Sequence, residues 1–163
     1  MDAYRSQDTV IYRPIGDDAP EAVALCSYGD VMVSLVDVAP SVQVQREAVI
    51  GSRWMHQAAR GNAGLQMSFS LARAFCTYAA ARAWGLDIAE LLALYPEGMV
   101  TWMTAYHAGI PQRTRDYRAT LDHVQPLPPT NDQRYGAAAF WGVLEIQLFL
   151  TCLLYTSDAA DEL

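Results

Sequence analysis

The stretch that most constrains the fold is Leu65 to Pro96, where an alternating strand runs straight into a capped helix. Leu65, Met67, Phe69 and Leu71 alternate with Gln66, Ser68, Ser70 and Ala72, the period-two pattern of a strand with one buried face. Thr77 to Trp84 is rich in alanine, the best helix former. Past Gly85, Asp87 and Glu90 make a D-x-x-E capping box, and Ile88, Leu91, Leu92 and Tyr95 fall at i, i+3, i+4 and i+7. Pro96 cannot continue a helix, and Gly98 suits the turn that follows. A sheet face and a helix stripe this close in sequence are expected to bury each other. The four strand side chains contribute roughly 6–12 kcal/mol on burial, before chain entropy is subtracted.

The rest of the chain supplies strands. Thr9 to Arg13 and Glu21 to Ser27 read as two short ones, separated by the Gly16 to Pro20 turn. Val31 to Val36 is apolar on both faces and reads as a central strand, which Ala39-Pro40-Ser41 interrupts. Val42 to Glu47 is apolar on one face only and is expected at an edge. Gly61-Asn62 and Gly64 predict a loop over residues 51–64. That loop carries Trp54 and Arg60, which serve either a partner surface or a flap over one end of the sheet. Val100 to Tyr106, Tyr117 to His123 and Ala138 to Thr151 alternate as further strands. Pro126-Leu127-Pro128-Pro129 predicts an unpaired connection, since proline cannot donate to a ladder. The pattern amounts to an α+β chain of antiparallel β-sheets, a sandwich or partly open barrel, with one central helical insert at about 77–95.

Composition excludes several classes. The chain has 163 residues, 52% hydrophobic and 18% charged, which suits one packed domain. A net charge of −7 argues against non-specific nucleic-acid binding. All 11 basic residues are arginine, as a GC-rich coding sequence gives. Cys26, Cys76 and Cys152 have no metal-like spacing and fit a reduced compartment. The first residues lack a basic and apolar leader, so no signal peptide is expected. The apolar run 140–155 is too short for a spanning helix and alternates like a strand. Its end, Cys152 to Glu162, matches the translation of a transposase adapter used in sequencing libraries. The expectation is a domain over 1–151 with its native C-terminus cut short, an artefactual tail over 152–163, and a metagenomic source.

No catalytic constellation emerges. His56, His107 and His123 lie on separate elements, with no metal-ligand spacing. No nucleophile elbow, phosphate loop or dinucleotide fingerprint occurs. Asp17-Asp18 reads as a solvated turn, and nothing gathers Asp116, Asp122 and Asp132. Neither a metal nor a cofactor is expected. Arg113, Arg115 and Arg118 form the one basic cluster, read either as a charged strand entry or as a contact with an acidic neighbour.

Arg60-Gly61-Asn62, then Ser68-Phe69-Ser70-Leu71-Ala72-Arg73, then the alanine-rich helix from Tyr78 come in close succession. This order resembles bacteriophage tail proteins of the tail-tube-like or minor-tail kind, in which R-G-N is followed by an F-S-x-A-R strand. The resemblance covers residues 30–151. It implies a non-enzymatic virion structural protein, assembled in the host cytoplasm by packing and strand pairing with copies of itself or other tail proteins. It implies no membrane and no specific nucleic-acid binding. Trp54, Arg60, Arg113, Arg115 and Arg118 are the interface candidates. The alternative is a small ligand-binding protein or enzyme with a pocket between sheet and helix.

Overall fold

The computed structural model describes residues 4–48, 55–135 and 139–158. In chain order the elements are β1 (Tyr4–Arg5), β2 (Thr9–Pro14), β3 (Val23–Cys26), β4 (Val31–Ala48), β5 (Met55–Phe75), α1 (Tyr78–Leu94), β6 (Glu97–Thr104), β7 (Arg113–Thr130) and β8 (Phe140–Asp158). All eight strands belong to one sheet of order β1-β4-β5-β8-β7-β6-β2-β3. Every neighbouring pair is antiparallel. Antiparallel β-structure with a single helix is thus present, with one continuous sheet among the described residues rather than two facing ones.

The seam of the sheet is the β5–β8 ladder. It runs without interruption from Leu65 opposite Leu150 to Phe75 opposite Phe140. Both strands alternate, so their inward residues fall in one layer. Met67, Phe69, Leu71, Leu144, Ile146, Leu148 and Leu150 are buried together with Val10, Tyr12, Leu25, Met32, Val100 and Tyr117 from the flanking strands. The opposite ends of the strand order meet at Ser6, which lies between β1 and β2. Its backbone bonds with Asp30 (2.8 Å) and Gly29 (2.9 Å). Its hydroxyl, also buried, lies 3.1 Å from Cys26 Sγ and donates to the Asp8 carbonyl at 2.7 Å. The sheet is therefore rolled, with its apolar face inward.

The helix forms over the expected span, but its cap and its seat differ from the sequence reading. Thr77 is the N-cap, its hydroxyl accepting from the Ala80 N–H at 3.1 Å. Asp87 and Glu90 lie inside α1 and cap nothing, and the helix continues through Gly85. Gly85 allows a close approach: a Cβ there would stand 3.0 Å from Pro126 Cβ on β7. On β8, a Cβ at Gly142 would stand 2.8 Å from the Trp84 ring. The helix therefore rests on β7 and β8 as well as on β5, where Phe75 meets Trp84 at 5.6 Å. Leu92, Trp84 and Ile88 fill the space between helix and sheet. None of the described helices is long and apolar enough to cross a membrane.

Three other expectations are corrected. The predicted loop over 51–64 is strand from Met55 onward, paired with β4 from Ala48 opposite Met55 to Val42 opposite Asn62. Gly64 marks a bulged, left-handed position (φ +122) rather than a loop, and a Cβ there would stand 2.1 Å from the Leu150 carbonyl oxygen. β4 is not interrupted at Pro40, nor is it central: on its outer side β1 pairs only with Val31 and Met32. The proline-rich segment is also paired, with Pro126 opposite Leu144 and Leu127 opposite Val143. β6 ends its pairing at Thr120, so beyond that point β7 owes no ladder bonds on that side and tolerates proline. Pro128 and Pro129 fall within the register shift between Leu127 and Thr130. Residues 152–158 continue β8 and pair with Arg113 to Arg118.

Two substitutions probe this packing. Gly142→Ala is expected to cost about 1–3 kcal/mol by overpacking against Trp84. Leu148→Ala is expected to cost about 2–5 kcal/mol by opening a cavity in the seam. Urea unfolding followed by circular dichroism measures both, and an unchanged midpoint for Leu148→Ala would contradict its central burial.

Candidate assembly surface

The face of β4, β5, β8 and β7 turned away from the core is built in rows fixed by register. Val31, Ala72, Val143 and Leu127 stand in the first row. They form a small second apolar cluster with Trp141, packed against Tyr135 and Ala139 of the β7–β8 connection. Asp132 and Arg134 hold that connection in shape, with Arg134 Nη2 donating to Asp132 Oδ2 at 2.6 Å. Those hydrogen bonds keep the half-buried Asp132 carboxyl below its ordinary value.

The next rows are polar. Ser34 pairs with Ser70, which pairs with Glu145, opposite Gln125. Asp37 pairs with Ser68, which pairs with Gln147, opposite His123. Gln66 Nε2 donates to Asp122 Oδ2 at 3.1 Å, spanning from β5 to β7. Ser34, Ser68, Ser70, His123, Glu145 and Gln147 line a shallow depression of about 260 Å³. Residues 31–39, 66–72, 122–127 and 143–147 contain no arginine, so the charges fixed on this part of the face are the carboxylates Asp37, Asp122 and Glu145. Serine, histidine and a carboxylate share the depression, yet no hydrogen bond among the described residues joins Ser70, His123 and Glu145.

β4 and β5 extend beyond this face as a two-stranded arm. Among the described residues, β5 pairs with β8 only from Leu65 onward, while Met55 to Asn62 pairs with β4 alone. Arg60 stands on the arm, and Trp54 lies outside the described residues. The arginine cluster on β7 is split. Arg113 is exposed at the strand entry. Arg115 turns toward the buried Tyr117, with Nη1 3.5 Å from its hydroxyl. Arg118 points outward and pairs with Glu97 at 3.3 Å, both side chains more than half exposed. An exposed pair of this kind is worth under about 1 kcal/mol. Of the three histidines, His107 closes a bridge with Ile110, His123 lies on the polar face and His56 is on the arm. Asp17 and Asp18 form the expected turn, Asp18 accepting from the Tyr95 hydroxyl through its carbonyl.

The sequence reading missed the polar face. Its signal was the polar half of the alternation, Gln66-Ser68-Ser70 and Glu145-Gln147, which only the β5–β8 register brings together.

No family model and no curated protein matches the chain. Among solved structures it is similar to a chain of the anti-feeding prophage baseplate, determined by cryo-electron microscopy with six-fold symmetry imposed. The TM-score is 0.46 at 13% identity, covering 98% of this chain and 97% of that one. It is also similar to a chain of the anti-feeding prophage cap, which terminates the tube, with a TM-score of 0.42 at 15% identity over 94% of this chain and 89% of that one.

The closure beneath this surface has a pH signature. Burial pushes the Cys26 thiol up from 9.0 to about 11, opposed by the Ser6 hydrogen bond and helped by Asp30 and Asp8. Burial and then the charge of Glu97 push the Tyr12 hydroxyl up from 10.0 to about 12. Each group is held neutral in the fold, so its contribution is fully present below the unfolded value and lost as pH rises through the folded one. Thermal stability is expected to fall between about pH 9 and 12, and to fall less steeply in Cys26→Ala. Melting temperatures across that range measure this, and parallel profiles for the two proteins would contradict it.

Proposed function

We propose that this chain is a non-enzymatic structural subunit of a bacteriophage tail, tube-like or minor, that works by assembling with copies of itself or with neighbouring tail proteins. One observation carries the reading: a rolled sheet with a filled apolar interior presents a polar patch over residues 31–39, 66–72, 122–127 and 143–147 that holds carboxylates and no arginine. Such a face does not adhere to a polyanion, so it suits the wall of a channel through which DNA passes. The sequence resemblance at Arg60-Gly61-Asn62 and Ser68 to Arg73 supports the same reading. In a ring, each subunit would meet its neighbours by heterologous contacts that close by rotation. The arm and the exposed Arg113 and Arg118 are the surfaces offered for those contacts. The subunit belongs to the virion and is made in the host cytoplasm.

Residues 152–162 are proposed to derive from a library adapter. Resequencing the source locus from a library made without that transposase is expected to return different codons after Thr151. An identical run would show the tail to be native.

The full chain is expected to assemble as its concentration rises. Size-exclusion chromatography with light scattering, followed by negative-stain microscopy, reads this out as rings or short tubes. A strictly monomeric species at millimolar concentration would contradict a tube subunit.

A further inference from the structure

Two strand edges of the chain are open along much of their length. Beyond Met32, β4 has no strand on its outer side among the described residues from Val33 to Pro40. On the arm, β5 has no partner opposite β4 from Met55 to Asn62 among the described residues. We propose that the Met55–Asn62 edge of one copy adds as a strand to the Val33–Pro40 edge of the next copy. This rests on the self-assembly reading above and specifies its contact.

The two stretches match in length, from 33 to 40 and from 55 to 62, roughly 25 Å each at strand rise. Beside the β4 edge, Val33 and Leu35 are large apolar side chains, 41% and 46% exposed. An incoming strand covers them while satisfying the unpaired N–H and C=O groups. Charge favours an antiparallel register shifted by two from full overlap, in which Asp37, the one charged residue in 33–40 and exposed, stands opposite Arg60, the one arginine in 55–62, with Leu35 opposite Asn62 and Pro40 opposite Gln57. The remaining edges fit less well. β3 spans only Val23–Cys26, and β7 beyond Thr120 carries three prolines, Pro126, Pro128 and Pro129, against the single Pro40 that ends the β4 stretch. The register shifts between Met32 and Asp37 distort the β4 edge, a feature that discourages indiscriminate pairing and favours a specific strand. Because the two edges differ, the contact is heterologous and propagates from copy to copy.

The test uses the full chain and four variants: Leu35→Lys, Asp37→Arg, Arg60→Asp and the double Asp37→Arg/Arg60→Asp. Light scattering gives the concentration of half-assembly, and circular dichroism melting confirms that each variant folds. Each single change is expected to raise that concentration about tenfold, and the double variant is expected to recover most of the loss. Wild-type protein that never assembles overturns the self-assembly reading itself. Wild-type protein that assembles, with single variants that assemble equally well or a double variant no better than the singles, overturns this contact and leaves that reading standing.

Discussion

The structure depends on the uninterrupted ladder between β5 and β8. The two long hairpins, β4–β5 and β7–β8, are joined into one sheet by this ladder, from Leu65 opposite Leu150 to Phe75 opposite Phe140. The alternation of both strands makes the ladder two-sided. Inward it supplies Met67, Phe69, Leu71, Leu144, Ile146, Leu148 and Leu150 to the core, and outward it supplies Ser68, Ser70, Glu145 and Gln147 to the polar face. A one-residue slip would exchange the two sets, burying carboxylate and hydroxyl groups and exposing leucines. The same register that holds the interior together therefore creates the outer surface.

The helix and the N-terminal strands complete the enclosure. Gly85 and Gly142 let α1 approach β7 and β8 at distances that a side chain would obstruct. At the other corner, buried Ser6 and Cys26 join the ends of the strand order. Both devices use small residues where bulk would hold the layers apart. Neither places a reactive group at the surface: the Cys26 thiol is buried and held neutral by that burial. The described surface offers backbone edges, carboxylates and exposed arginines.

Much of this was legible in the sequence. The strand ending near Arg73, the helix over 78–94 and its stop at Pro96 followed from periodicity and punctuation, and so did most of the other strands. What misled was the local meaning of glycine and proline. Gly64 reads as a loop residue, yet it sits in a bulge where a Cβ would collide with the Leu150 carbonyl. Pro126 reads as a ladder breaker, yet beyond Thr120 one side of β7 has no strand partner to lose. Asp87 and Glu90 mimic a capping box, but the helix had already begun at Thr77. In each case the deciding fact was a long-range neighbour, which a one-dimensional pattern does not contain. The polar face was hidden for the same reason, since its rows draw one residue from each of four strands far apart in sequence.

Native-state hydrogen exchange on the full chain tests the central role of the β5–β8 ladder most directly. If the ladder is the seam, the amides of Met67 to Leu71 and Leu144 to Leu148 exchange only through global unfolding, with the full dependence on denaturant. Exchange of those amides through a smaller opening, while β2 and β6 stay protected, would contradict the account and move the organising centre to the other side of the sheet.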